Sequence, residues 1–225
     1  MIYRDRAEAG ERLADELRGW RGRKPLVVAI PRGAVPMGRI IADRLEGELD
    51  VVLVRKLHAP GNPEFAVGAV DETGWTYIAD YAERAGASRG YIERETAAEL
   101  ATIRRRRALY TPDRAPVDAS GRVVIVVDDG LATGATMIAA LHAMRSRGPQ
   151  RVICAVPVAS SEAVDKVRPY ADEVVCLETP EFFYAVGQFY RSFPQVDDDE
   201  VAALLARPAG AEPRDAAPGA GREGR

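Results

Sequence analysis

Residues 123–137 read VVIVVDDGLATGATM, and their order decides how the rest of the chain is read. The β-branched run 123–127 favours a strand buried on both faces. Two adjacent carboxylates, Asp128 and Asp129, end it. A loop of small residues follows, and then Met137, Leu141 and Met144 fall at i, i+4 and i+7, the spacing of an apolar helix face. A strand, a small-residue loop and a helix N-terminus together make an anion site. Backbone N–H groups point at the ligand, the helix dipole favours negative charge, and Thr133 and Thr136 add hydroxyls. The carboxylates cannot hold phosphate; they suit sugar hydroxyls or a hydrated Mg²⁺. A phosphate cradle beside hydroxyl acceptors fits a sugar phosphate. No G-K-[ST] follows the glycines, which argues against a nucleoside-triphosphate P-loop.

Outside this stretch, strands and helices alternate. Apolar runs at 26–30, 50–54, 122–127, 151–158 and 173–177 read as buried strands. Residues 5–20 read as a helix with Leu13, Leu17 and Trp20 on one face. Pro36 opens a second helix that Gly47 ends, and Ser160 or Ser161 can cap another. Continuous apolar strands with helical crossovers predict a parallel sheet covered on both faces. Ligands of such sheets bind outside the carboxyl ends of the strands, where the acidic pair lies.

Composition bounds the rest. The 225 residues suit one α/β domain with a tail, and 47% hydrophobic content is enough for a core. The net charge of −3 does not point to nucleic acid as a partner. No apolar run approaches the roughly 20 residues that span a bilayer, and the first ten residues, MIYRDRAEAG, lack a signal-peptide core. These features predict no membrane partner and a cytoplasmic location. Cys154 and Cys176 sit inside apolar runs and read as buried reduced thiols.

VVDDGLATGAT resembles the PRPP-binding motif of type I phosphoribosyltransferases, PRPP being 5-phosphoribosyl 1-diphosphate. The resemblance covers roughly residues 24–180 by order of elements. It implies an α/β fold: a Rossmann-like parallel sheet flanked by helices, with a small hood and a helical insertion. It implies that Asp128 and Asp129 accept hydrogen bonds from the ribose hydroxyls and meet Mg²⁺ through water. It also implies that Gly130, Leu131, Ala132, Thr133, Gly134, Ala135 and Thr136 bind the 5-phosphate side of PRPP.

Two further constellations take meaning from it. After the first strand comes Pro31-Arg32-Gly33-Ala34, a small-residue loop holding a cation. The family places a diphosphate-binding loop here, often R-G-G, so Arg32 and the amides of Gly33 and Ala34 are expected to hold diphosphate. Ala34 departs from the second glycine, at a cost of roughly 1 kcal/mol if that position needs positive φ. The family loop can also carry a non-proline cis peptide. The second constellation is VRKLHAPGNPEFAVGAV, 54–70, whose Pro and Gly predict a loop. The family has a mobile lid here, with Arg55 and Lys56 at its base facing the diphosphate. Closure would exclude water from a cationic sugar.

The resemblance therefore implies an Mg²⁺-dependent transferase that moves phosphoribosyl from PRPP to a nitrogenous acceptor and releases diphosphate, in a homodimer. In 6-oxopurine enzymes the motif reads D-T-G-x-T, and its Asp serves as general base. Here Ala132 stands at that place, so the motif looks more like the adenine or orotate type, and Glu64 is the candidate base. RKLxAPGNPEFAxGAV with DDGLATGAT resembles uncharacterised phosphoribosyltransferase-domain proteins more than any named salvage enzyme. Ala34 and Ala132 leave open a second reading, a PRPP- or nucleotide-binding regulator without turnover.

The predicted domain is 1–206. Within it, 75–118 is a helical insertion whose four-Arg run, 104–107, could touch nucleic acid or phosphate and reads more simply as a solvated helix end whose cations suit the C-terminal dipole. Residues 178–206 form a hood and a last helix. Phe182, Phe183, Tyr184, Phe189, Tyr190 and Phe193 concentrate there and could meet a planar base, the hood's own core or a dimer contact. The acidic run 197–200 suits a helix first turn. Residues 207–225 hold no large apolar side chain and read as a disordered tail.

Overall fold

A computed structural model describes residues 3–112 and 114–208. The expected tail lies, from 209 onward, outside the described residues. Helix α1 (Arg6–Glu16) continues as a 3₁₀ turn, Leu17–Trp20, and leads to β1 (Leu26–Ala29), α2 (Val35–Leu45) and β2 (Glu48–Val51). A hairpin follows, β3 (Val54–Ala59) with β4 (Asn62–Asp71), then the short β5 (Thr76–Ile78) and the long α3 (Arg89–Tyr110). The second half runs β6 (Val123–Val127), α4 (Ala135–Arg145), β7 (Arg151–Val158), α5 (Ser161–Val167) and β8 (Glu173–Glu178). A 3₁₀ turn, Val186–Phe189, and α6 (Asp198–Ala206) close the described chain.

The main sheet has five strands in the order β2-β1-β6-β7-β8, and every pairing is parallel. The central strands β1 and β6 are uninterrupted apolar runs because helices cover both faces. On one face Leu13, Met37, Ile41 and Leu45 pack against Val27, Ile125 and Ile153. On the other Ile138, Leu141 and Met144 pack against Val28, Val124 and Val152. Burying each such side chain contributes roughly 1.5–3 kcal/mol. The register sets Ala29 level with Val127. The Ile30 amide donates to the Val127 carbonyl at 3.0 Å. Ile30 and Asp128 therefore leave the sheet side by side at its carboxyl edge.

Helix ends follow local chemistry. Asp5, Ser88, Ser160 and Asp197 cap α1, α3, α5 and α6, each accepting from a first-turn amide. The acidic run 197–200 is thus the first turn expected of it.

Three expectations change. Residues 50–54 are not one strand: β2 ends at Val51 and β3 begins at Val54, in a separate three-stranded sheet. The stretch expected as a loop, 54–70, is an antiparallel hairpin in which Leu57 and Ala59 are buried. Only Pro60 and Gly61 turn it, with Gly61 at φ 72°, the left-handed conformation that glycine adopts without steric cost. The insertion 75–118 is helical over α3, but residues 76–78 pair with β4 as β5. This second sheet docks on α4, where Trp75 stacks on His142 at 3.8 Å and Ala69 meets Ala135 and Ala139.

The four-Arg run also differs from the solvated helix end expected. It lies within α3 and splits by direction. Arg107 turns inward to Glu72 at 2.8 Å and buried Asp50 at 3.5 Å, whereas Arg104 and Arg105 are exposed. Cys154 is buried and Cys176 half-buried, both free. Burial raises both thiols, Cys176 to about 11, so neither is a thiolate at neutral pH.

Candidate active site

At the carboxyl edge of the sheet the loops after β1 and β6 enclose a cleft of about 270 Å³. Pro31 and Gly33 line it from one side, Asp128, Asp129 and residues 130–134 from the other, with Lys56 and Val186 at its margins.

The cradle is built by the turn between β6 and α4. Gly134 stands at φ 79° as the cap of α4. A Cβ there would lie 3.1 Å from Val167 and 3.3 Å from the Ala163 carbonyl, so α5 packs directly under the loop. Ser160 anchors the outer strand of the turn: its hydroxyl donates to the Ala132 carbonyl at 3.0 Å, and its amide donates to the Leu131 carbonyl. Among the described residues, the amides of 132–136 take no part in the loop hydrogen bonds. They are the free donors an anion at a helix N-terminus requires. Ala132 and Thr133 are exposed.

Asp128 and Asp129 sit side by side, and Asp128 Oδ1 accepts the Asp129 amide at 2.9 Å. Burial raises the Asp128 carboxyl well above the ordinary carboxylate range, the neighbouring Asp129 raises it further, and Lys56 and Arg6 oppose the shift. Burial raises Asp129 too, against the pull of Arg6. Two such acids favour a ligand that brings hydroxyl donors or a cation.

Arg6 is the functional residue that sequence reasoning missed. It lies far from the motif in the chain and carries no signal beyond an N-terminal helix. Its Nε and Nη2 approach Asp129 Oδ2 at 3.0 and 2.9 Å. Its Nη1 donates to the Pro194 carbonyl at 2.7 Å, and its guanidinium lies over the Phe193 ring at 3.7 Å. Tyr190 donates its hydroxyl to the Asp129 carbonyl at 2.7 Å. Tyr3 bridges to Tyr190 in parallel, and its own hydroxyl donates to the Pro157 carbonyl at 2.9 Å. The N-terminus and the hood thus meet behind the acid pair. Of the hood aromatics, Phe189 and Tyr190 belong to the core, Phe183 packs against it, and Phe182 and Tyr184 are exposed.

The loop after β1 carries a cis peptide between Pro31 and Arg32. Ala34 is right-handed, at φ −79°, and buried, so alanine costs nothing there. Gly33 is the constrained position, since a Cβ on it would fall 2.1 Å from Asp129 Oδ2. Arg32 does not line the cleft. Its guanidinium turns to Asp198 at 3.8 Å, beside Tyr110, which donates to the same carboxylate at 2.5 Å. Arg55 is engaged by Glu99 at 2.7 Å. Glu64 is exposed on β4 and does not line the cleft.

A second cavity of about 300 Å³ adjoins the first. Ile30, Pro31, Lys56, Thr136 and Arg106 line it, and Ile30, Pro31, Lys56 and Thr136 line the first cleft as well. Helix α3 contributes Arg106 to it and is tied to β3 by the Arg55–Glu99 pair at 2.7 Å, with His58 3.7 Å from Glu95.

An open parallel sheet that ends in a free-amide cradle, an acid pair and a lysine defines an α/β protein with an anion cradle beside hydroxyl or cation acceptors at its carboxyl edge. The chain belongs to the phosphoribosyl transferase domain family, whose sequence model matches residues 2–193. A Mycobacterium tuberculosis H37Rv protein named "Putative phosphoribosyl transferase Rv0571c" is 41% identical over 210 residues, 92% of this chain and 47% of its own. The chain therefore spans about half the length of this curated relative. The crystal structure of TT1426 from Thermus thermophilus is 48% identical, with a TM-score of 0.77, covering 91% of this chain and 98% of that one. No described helix is long and apolar enough to cross a membrane.

Proposed function

We propose that the chain transfers 5-phosphoribosyl from PRPP to a nitrogenous acceptor and releases diphosphate. One observation carries this reading: residues 132–134 and 136 of the cradle, the acid pair Asp128–Asp129 and Lys56 all line one cleft. The 5-phosphate sits on the cradle with the Thr133 and Thr136 hydroxyls. Asp128 and Asp129 accept the ribose hydroxyls and hold the sugar while C1 gains positive charge. Lys56 and the backbone of Gly33 and Ala34 meet the departing diphosphate. Arg32 shapes that turn, its guanidinium being paired with Asp198.

The acid pair fits Mg²⁺, because two partly desolvated carboxylates share the cleft. Asp128 is the freer of the two, since Arg6 already holds Asp129. Bound Mg²⁺ would neutralise charge on the diphosphate, carried mainly by ligand oxygens and water. Glu64, at the hairpin, is the proposed base. Turnover of Glu64→Gln equal to that of the native chain removes it from that role. We place the protein in the cytoplasm as a homodimer, with no nucleic-acid or membrane partner.

The test is diphosphate release from PRPP and Mg²⁺ across a panel of purine and pyrimidine bases. Release with one base establishes the transferase and names the acceptor. Ala132, standing where 6-oxopurine enzymes keep an acid, favours a second reading, a regulator that binds PRPP without turnover. Tight PRPP binding with no release for any base would select it.

A further inference from the structure

We infer that Arg106, from helix α3, is the second cation of the diphosphate site, in the role that the family resemblance implied for Arg32. The inference rests on the proposed transferase reading and deepens it.

The charges around the cleft divide into occupied and free. Arg6 is held by Asp129, Arg32 by Asp198, Arg55 by Glu99, and Arg107 by Glu72 and Asp50. Among the described residues, no carboxylate lies within ion-pair distance of Lys56 or Arg106. These two cations line the same cavity, and Pro31 and Thr136 line it with them. Pro31 belongs to the loop expected to hold diphosphate, and Thr136 to the cradle of the 5-phosphate. A doubly esterified sugar spanning the two loops places its diphosphate between them, against Lys56 and Arg106.

The helix explains the placement. Glu95, Glu99 and Arg106 follow at i, i+4 and i+11, which share one face of an α-helix. Glu99 pins that face to Arg55 of β3 at 2.7 Å, with Glu95 beside His58, so Arg106 is carried, two turns further on, to the cavity beside Lys56. Arg107, one residue later, points about 100° away and serves the buried network instead. A planar guanidinium matches phosphate oxygens bidentately, which an ammonium cannot do.

The experiment titrates Mg²⁺-diphosphate and, separately, ribose 5-phosphate into the full chain and into Arg106→Gln and Arg106→Lys. Arg106→Gln is expected to weaken diphosphate roughly 10- to 100-fold, the range of a charge-assisted contact, and to leave ribose 5-phosphate unchanged. Arg106→Lys should recover part of the loss. The thermal transition of Arg106→Gln should match the native one, since the side chain holds no structural ion pair. Unchanged diphosphate affinity in Arg106→Gln overturns the inference. So does an equal loss for both ligands, which marks a structural effect. A native chain that binds ribose 5-phosphate but not diphosphate overturns it and spares the sugar-phosphate cradle. A native chain that binds neither overturns the transferase reading itself, and the inference with it.

Discussion

Arg6 Nη2 lies 2.9 Å from Asp129 Oδ2, joining the first helix to the loop after the central strand. The Arg6 side chain is 10% exposed and that of Asp129 16%, so the pair is largely removed from water. Breaking a buried pair from one side leaves a charge without compensation.

Arg6→Gln is accordingly expected to destabilise the fold by about 3 kcal/mol. Urea unfolding with an unchanged slope checks it. PRPP affinity should fall with stability, since Asp129 loses the contact that orients it. A loss below about 1 kcal/mol, the range of a solvated pair, would show that water screens the contact.

Asp128→Asn should do the opposite to stability. Both acids titrate above their unfolded values in the fold. Through the window from the ordinary carboxylate range upward, the folded state binds more protons than the unfolded one. Stability then falls as pH rises, and the loss is complete once pH exceeds the raised values. Removing the charge should raise the melting temperature at pH 7 by roughly 2–4 °C, and the gain should shrink toward pH 4. PRPP binding should be lost. Calorimetry at the two pH values reads the first effect and ligand titration the second.

Gly33→Ala forces a Cβ onto Asp129 Oδ2. It should abolish PRPP binding while the fold survives, with its signature in the titration rather than in circular dichroism. Ala34→Gly changes a buried right-handed position and should cost about 0.5–1 kcal/mol with binding retained. The reverse pattern would mean that Ala34, not Gly33, limits the loop.

Tyr190→Phe removes the donor to the Asp129 carbonyl. A loss of about 1 kcal/mol is expected, measured by denaturant midpoint, with a smaller fall in affinity than Arg6→Gln produces.

The sheet, its order of strands and the cradle are legible in the sequence because each rests on local pattern: β-branched runs, small-residue turns and capping serines. The hairpin is not, because Pro60 and Gly61 signal a turn but do not say how short it is. Leu57 and Ala59 alternate inward only once the second sheet exists to receive them. Arg6 and Arg106 are illegible in their roles for a different reason. Nothing near Arg6 in the chain distinguishes it from a surface arginine, and the run 104–107 does not say which of its four members turns to the site. Their roles come from tertiary neighbours: Phe193 and Pro194 for one, Pro31 and Thr136 for the other.

The meeting of Tyr3 with Tyr190 behind the acid pair also bears on synthesis. A nascent chain that has emerged as far as α5 already carries both carboxylates and the cradle with its Ser160 anchor. It lacks Tyr190, Phe193 and the Pro194 carbonyl, the groups that hold Arg6 and the Asp129 backbone in place. Ligand capture therefore waits for nearly the whole domain to leave the ribosome, and fragments released early carry the motif without the grip.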